Sequence, residues 1–147
     1  MGHPGAGDEV DEALVIGASP STVWQALVDT DRRRRWWSYV ELDPVVGGRF
    51  VERWRGAGGE HMLTSGSVVE LLSDRLLRLT WSDENWPAET EVEITLADAD
   101  PGTVVRIRHL GWRRLPDGER LAEEHRAGWR MHLSNLRDHV EGEAHHS

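Results

Sequence analysis

The sequence contains no cysteine, and its apolar residues never form a long uninterrupted run. Without cysteine there is no disulfide framework, no thiol nucleophile and no cysteine-ligated metal, which fits a reducing compartment. No apolar stretch is long enough to span a membrane, and residues 1–8 lack the hydrophobic segment of a signal peptide. We therefore expect a cytoplasmic protein. Its 147 residues predict one domain over residues 8–141, with flexible tails at 1–7 and 142–147.

Positive charge is also scarce. The chain has 17 Lys and Arg residues against 26 Asp and Glu residues, a formal net charge of −9. This balance disfavours nucleic acid and anionic membrane surfaces as partners. The exception is a run of four arginines at residues 32–35, which on a helix would point in all directions and make no single basic face. We expect a solvated helix with some of these arginines paired to carboxylates, the alternative being contact with an anion.

Aromatic residues other than tryptophan are almost absent, since eight tryptophans stand against one Phe and one Tyr. Seven of the tryptophans lie in or at the end of segments with a regular apolar pattern, and only Trp86 lies in an obvious loop. An indole carries a large apolar area and one hydrogen-bond donor, so several together would wall a ligand pocket. The alternative is that they fill the core of a small domain.

The first third of the chain predicts one strand and two short helices. Residues 8–17 alternate as a strand, and Ser19 followed by Pro20 is typical of a helix start, with Ser19 as the N-cap. Thr30 would cap a second short helix that runs into residues 36–37. This order places two helices directly after the first strand.

The remainder predicts an antiparallel sheet and one long helix. Alternation and turns over residues 39–112 favour a meander. A helix over about 120–141 would carry an apolar stripe, with His125 and His132 on its flank. Gly128 lies in the middle of this helix at a cost of about 1 kcal/mol relative to Ala, which suggests that something bulky approaches there or that the helix bends. The apolar stripe consists of Ala122, Trp129, Leu133, Leu136 and Val140.

Two polar residues are predicted to face the interior of the sheet. Phe50, Glu52 and Trp54 share one face of a strand, and desolvation there would raise the pKa of Glu52. His109 lies on the inner face of the last strand. These two residues would act as general acid and base or orient a ligand by hydrogen bonds. The alternative for each is a structural polar residue.

Other chemistries find no support in the sequence. His125, His132 and His139 lie seven residues apart, about 10.5 Å along a helix axis, which is too far to bind one metal ion. There is no Gly-x-Ser-x-Gly nucleophile motif, and the glycine-rich segments precede strands rather than helices. We therefore expect neither a metal nor a cofactor.

The ordered motifs resemble the START-like helix-grip fold, also called SRPBCC or Bet v 1-like. At the motif level the chain is similar to small bacterial homologues of the heat-shock-protein-90 ATPase activator family, over about residues 12–140. The segments that carry the resemblance are residues 19–27, 35–37, 43–50, 66–70, 75–81, 102–105, 109–111 and 128–129, followed by Leu133 and Leu136. The resemblance implies an α+β fold in which a curved antiparallel sheet wraps around a long C-terminal helix.

The resemblance also implies a binder of hydrophobic or aromatic small molecules, in a cavity between the sheet and the C-terminal helix. Related branches include polyketide cyclases, lipid carriers and self-resistance proteins that intercept an antibiotic such as an enediyne. Trp24, Trp36 and Trp81 fall in motif segments and would mostly build the scaffold. The complete set expected to contact the ligand is Trp37, Phe50, Glu52, Trp54, Trp81, His109, Trp112, Trp129 and His132.

Three functions stay open at this point. The favoured one is non-catalytic binding of an apolar or aromatic molecule by a monomer or homodimer, for transport, sequestration or self-resistance. The second is a polyketide cyclase or dehydratase that uses Glu52 and His109. The third is a co-chaperone-like interaction, which is disfavoured because the eukaryotic co-chaperones carry an additional N-terminal domain that we do not find in these 147 residues.

Overall fold

A computed structural model describes residues 9–144 and shows one seven-stranded sheet with helices on one side. The sheet is antiparallel throughout, in the order β1-β7-β6-β5-β4-β3-β2, so the first strand pairs with the last. The elements are β1 (Glu9–Ile16), α1 (Pro20–Val28), α2 (Thr30–Arg34), β2 (Val40–Leu42), β3 (Arg49–Arg55), β4 (His61–Leu72), β5 (Leu76–Asp83), β6 (Thr90–Asp98), β7 (Thr103–Leu110), a 3-10 helix (Trp112–Arg114) and α3 (Gly118–Ala144). The predicted α+β helix-grip fold is confirmed.

The backbones of β4 and β5 approach each other closely at Gly66. A Cβ added at Gly66 would collide with the carbonyl oxygen of Thr80 on the neighbouring strand. Only glycine allows the two backbones to approach this closely. The pairing register also shifts between Val68 and Glu70, as in a β-bulge, and a bulge increases local twist and bend. This bend lets the sheet curve around α3.

The N-cap of α1 is the predicted residue, whereas the N-cap of α2 is not. Ser19 caps α1 as predicted, because its hydroxyl accepts the backbone N–H of Thr22. The cap of α2 is Asp29 and not Thr30, since the Asp29 carboxylate accepts the backbone N–H of Arg32 at 3.0 Å. The hydroxyl of Thr30 instead lies 3.5 Å from the guanidinium of Arg33.

The expectation of a wholly solvated arginine run was wrong for Arg33. This side chain is only 2% exposed, and its Nη1 donates to the carbonyl oxygens of Leu27 and Val28 at 3.0 and 3.3 Å. Those carbonyls lie at the C-terminal end of α1, where helix carbonyls lack partners within the helix and where a cation is favoured. Arg33 therefore holds the end of α1 against α2.

The long helix α3 is the element that the sheet grips. Its predicted apolar stripe is buried from Ala122 to Val140. The helix begins at Gly118 rather than Arg120 and continues to Ala144, so residues 142–144 of the predicted tail are helical. The predicted tails at 1–7 and 145–147 lie outside the described residues. No helix within 9–144 is long and apolar enough to cross a membrane.

Candidate functional site

The deep end of the space between the sheet and α3 is closed by tryptophans. Trp37 packs against Trp36, Phe50 and Trp129 with ring centroids 5.6 to 5.7 Å apart. The void that remains beside this cluster is only about 10 Å³. Trp24, Trp36 and Trp37 are all buried, so Trp37, which was expected to contact the ligand, lies in the core instead. The predicted cavity does not extend through the whole domain.

The other end of this space is an open cleft of about 560 Å³. It lies between the inner faces of β3, β4 and β5, the loop after β5, and the first half of α3. Four indoles, two methionines, two histidines and four carboxylates contribute to its walls. The lining residues are Glu52, Trp54, Met62, Thr64, Trp81, Asp83, Glu84, Asn85, Trp86, Leu121, Glu124, His125, Gly128, Trp129, Met131 and His132.

A polar row crosses the sheet on the cleft side. Thr64 pairs directly with Glu52 on one neighbouring strand and with Asp83 on the other, so the three side chains share one face. The Thr64 hydroxyl accepts the indole N–H of Trp54 at 2.9 Å and donates to Asp83 at 2.5 Å. Glu52 accepts the indole N–H of Trp37 at 2.8 Å. Each carboxylate in the polar row of Glu52, Thr64 and Asp83 thus has a neutral donor.

Both carboxyl groups of the polar row are harder to ionise than usual. Burial raises the pKa of Glu52, and the hydrogen bond from Trp37 opposes that increase only in part. Burial also raises the pKa of Asp83, against the hydrogen bond from Thr64. The negative charge of Asp83 adds to the increase at Glu52. Burial without a cationic partner disfavours the charged form, which accounts for both shifts.

The hydrogen-bond partners of His109 determine which nitrogen of its ring carries the proton. The indole Nε1 of Trp129 donates to His109 Nδ1 at 3.1 Å, because an indole nitrogen can only donate. The proton of the neutral ring is therefore on Nε2, which lies 2.7 Å from the Thr90 hydroxyl. That hydroxyl donates in turn to the carbonyl oxygen of Trp81 at 2.8 Å. Burial lowers the pKa of His109 well below its usual value, so the ring is neutral and has no free nitrogen.

Two other histidines reach the cleft from α3. His125 Nδ1 donates to the carbonyl oxygen of Leu121 at 2.8 Å, so its Nε2 is an acceptor when the ring is neutral. Burial lowers the pKa of His125, and the hydrogen bond to Leu121 and the charge of Asp83 oppose that decrease. Burial lowers the pKa of His132 to about 4. The ring of His132 packs 4.6 Å from that of Trp37.

Two polar atoms in the walls of the cleft lack a partner. The indole N–H of Trp81 and Nδ1 of His132 are buried and have no hydrogen-bond partner within residues 9–144. Trp81 is 4% exposed and stacks on Phe50 at 5.0 Å. Buried polar groups are normally satisfied, so these two atoms are exceptions within the core behind the cleft surface.

The structure separates the predicted ligand residues into two groups. Glu52, Trp54, Trp81, Trp129 and His132 line the cleft. Four others lie behind this wall and support it, namely Trp37, Phe50, His109 and Trp112.

Trp112 was predicted at the cavity wall and instead lies in the core. It is 0% exposed, and its indole N–H donates to the carbonyl oxygen of His109 at 2.9 Å. Trp86, from the loop after β5, packs edge-on against it at 5.7 Å and takes the position nearer the cleft. This loop has no periodic apolar pattern from which the position of Trp86 could be predicted.

Several cleft residues were not predicted, although two had a signal in the sequence. Asp83 follows Trp81 by two residues in β5 and therefore shares its face. His125 precedes Trp129 by four residues, which places both on one side of α3. No signal of this kind pointed to Trp86. Within residues 9–144 no three His, Asp or Glu side chains are grouped so as to hold a metal ion.

Gly128 lies in the wall of the cleft with open space in front of it. A Cβ added there would meet nothing within 4 Å, and Gly142, further along α3, is equally unhindered. No protein group therefore requires the glycine at position 128. Its missing side chain widens the cleft beside Trp129.

The sheet, the gripping helix and the cleft between them define a START-like domain. Residues 17–141 match the family described as "Activator of Hsp90 ATPase homolog 1-like protein", and the chain belongs to this family. No curated protein matches the chain.

Solved structures with the same fold come from several bacteria. Protein MLL2253 from Mesorhizobium loti has a TM-score of 0.76 at 23% identity, over 90% of this chain and 96% of its own. CalU16 from Micromonospora echinospora has a TM-score of 0.73 at 24% identity, over 91% of this chain and 74% of its own. DynU16, a protein of the dynemicin biosynthetic locus, has a TM-score of 0.76 at 20% identity, over 91% of this chain and 47% of its own. These likenesses establish the fold alone.

Proposed function

We propose that the protein binds an aromatic or otherwise apolar small molecule in the cleft between the sheet and α3. The observation that carries this proposal is a cleft of about 560 Å³ with four indoles in its walls. Small-molecule sites commonly enclose roughly 300–1,000 Å³, with apolar walls and a few polar groups.

Binding without turnover fits the polar groups better than catalysis by the pair predicted from the sequence. Both nitrogens of His109 are engaged, by Trp129 and Thr90, so this residue is not available to move a proton. A cyclase or dehydratase would instead have to use Glu52 and Asp83, whose raised pKa values suit general acids. The family's chaperone association is not extended to this chain, because a shared fold does not imply a shared function.

A ligand screen by thermal shift and tryptophan quenching tests the proposal. A ligand at a hundredfold excess over its Kd stabilises the folded protein by about 2.7 kcal/mol, which is readily measured. Because DynU16 comes from a biosynthetic locus, polycyclic natural products should be included beside simple aromatics. True hits should lose binding in Gly128→Leu, which fills the cleft, and keep it in Gly142→Leu. Hits that bind both variants equally would place the ligand elsewhere.

Product analysis separates carrier from enzyme. A bound polyketide recovered unchanged after long incubation supports binding alone. Conversion that disappears in Glu52→Gln and Asp83→Asn would favour the enzyme. The predicted cytoplasmic location and the choice between monomer and homodimer stay predictions.

A further inference from the structure

The charges in the walls of the cleft are of one sign. Four carboxylates line it, while no Arg or Lys belongs to its lining. Two of these carboxylates already have partners, since Glu124 pairs with Arg120 at 3.0 Å and Glu84 accepts the backbone N–H of Leu63 at 3.2 Å. Glu84 is also exposed to solvent, whereas Glu52 and Asp83 are half-buried and accept hydrogen bonds from a neutral indole and a neutral hydroxyl.

The polar row therefore holds two half-buried carboxylates without a paired arginine among the described residues. A buried charge is costly unless it is paired. The charge of His125 acts on Asp83, but burial lowers the pKa of His125 itself. A cation brought by the ligand would fill the place that a lysine or arginine takes in an ordinary buried pair.

The aromatic walls favour a cation of a particular kind. Trp54, Trp81, Trp86 and Trp129 line the same cleft as the polar row, and Trp81 lies 5.1 Å from Trp129 between ring centroids. Indole is the aromatic side chain that attracts cations most strongly, and desolvation strengthens the attraction. Carboxylates beside several indoles suit an organic ammonium group, which is less costly to desolvate than a small inorganic ion and can be carried on an apolar body.

We propose that the ligand is an organic cation, an apolar or aromatic molecule with an ammonium group that binds beside Glu52 and Asp83 while its body packs on the indoles. This inference rests on the proposed function and specifies the charge of the ligand. A neutral ligand of the same shape would cover the two carboxylates and leave them unpaired. The cleft should therefore discriminate strongly by charge between molecules of similar size.

Three probes with one ring system test the proposal by calorimetry. They are the cation (2-naphthylmethyl)trimethylammonium, the neutral 2-naphthalenemethanol and the anion 2-naphthylacetate. At pH 7.5 the cation should bind at least tenfold more tightly than the alcohol, and the anion more weakly than either. Equal or weaker binding of the cation would overturn the proposal while leaving the proposed function intact. Failure of all three probes to bind would contradict the proposed function itself.

Two double variants test whether Glu52 and Asp83 cause the preference for the cation. In Glu52→Gln/Asp83→Asn the preference for the cation should shrink at least fivefold, since both amides can still accept the hydrogen bonds from Trp37 and Thr64. In Asp31→Asn/Glu119→Gln, which makes the same change of charge on exposed helix positions, the preference should stay within twofold. An unchanged preference in the first variant would overturn the proposal.

The pH dependence gives a test that needs no variant. Of the four carboxyl groups in the walls, which include Glu84 and Glu124, Glu52 and Asp83 have raised pKa values and gain protons as the pH falls. His125 and His132 on α3 become positive over the acidic range. All of these changes weaken binding of a permanently charged cation, so its affinity should fall steadily below neutral pH. An affinity for the cation that rises on acidification would overturn the proposal.

Discussion

Nε1 of Trp129 lies 3.1 Å from Nδ1 of His109, and this contact joins α3 to the last strand of the sheet. His109 is 0% exposed, and its other nitrogen reaches Thr90 on the neighbouring strand. The imidazole therefore connects three elements at the floor of the cleft. Its place in the fold explains why a polar residue lies among apolar neighbours.

Removal of the His109 side chain should destabilise the fold. In His109→Ala the indole N–H of Trp129 and the Thr90 hydroxyl lose their partner and a cavity forms, so the free energy of unfolding should fall by about 3 kcal/mol. Urea denaturation followed by circular dichroism measures this. His61→Ala, at an exposed position, should change stability by no more than about 0.5 kcal/mol. Equal effects of the two variants would contradict the structural role of His109.

Gly128→Ala should stabilise the protein. The added Cβ meets nothing within 4 Å, and Ala is favoured over Gly in a helix by about 0.5–1 kcal/mol. Gly142→Ala, equally unhindered but near the end of α3, should give a smaller gain of the same sign. Thermal and urea unfolding measure both. A loss of stability in Gly128→Ala alone would show that the space beside Trp129 is not free.

Arg33 and Arg34 are neighbours with different roles. Arg33→Ala should lower the free energy of unfolding by about 3 kcal/mol, because the carbonyls of Leu27 and Val28 lose a charged donor and a large buried side chain is removed. Arg34→Ala, at an exposed position, should lie within about 0.5 kcal/mol of the wild type. Urea denaturation measures the free energy of unfolding of both variants. Similar losses in the two variants would contradict the burial of Arg33.

His132 should make the protein sensitive to acid. Above its unfolded pKa of 6.5 the ring is neutral in both states and contributes nothing. Between pH 6.5 and its folded pKa of about 4, the unfolded chain takes up a proton that the folded protein does not. The free energy of unfolding therefore falls as the pH falls, by at most about 3 kcal/mol from this residue. Glu52 and Asp83, whose pKa values are raised, contribute with the opposite sign.

The effect of His132 is measured as a difference between variants. Urea denaturation from pH 7.5 to pH 4 should show a smaller loss of stability in His132→Phe than in the wild type. His61→Phe serves as the control and should follow the wild type. A pH profile that is the same for His132→Phe and the wild type would mean that the folded protein protonates this ring as easily as the unfolded chain does.

Periodicity and capping predicted the helices and strands well, because each element has its own pattern in the sequence. The Ser19 and Pro20 helix start, the alternating faces of β3 and β7 and the stripe of α3 depend on periodicity and capping, which neighbouring residues determine. The family resemblance then supplied the arrangement of these elements. The errors in fold were local, such as the cap of α2, where Asp29 and Thr30 both suit the position.

The site was less predictable because it depends on contacts between distant segments. Thr64 lies between Glu52 and Asp83 only through the strand register, which no single strand reveals. Whether an indole lines a cleft or fills the core depends on what packs above it, as Trp86 above Trp112 shows. The burial of Arg33 likewise depends on where α1 ends.

Trp86 reaches the wall of the cleft from a loop, whereas the other three indoles there belong to strands or to α3. It is carried by the loop between β5 and β6 and rests on Trp112 and on His125 from α3, the latter at 5.6 Å. The polar row and the deeper indoles belong to strands and to α3, so they are fixed independently of this loop. For the ligand that we propose, a change confined to this loop would therefore alter residence time more than selectivity.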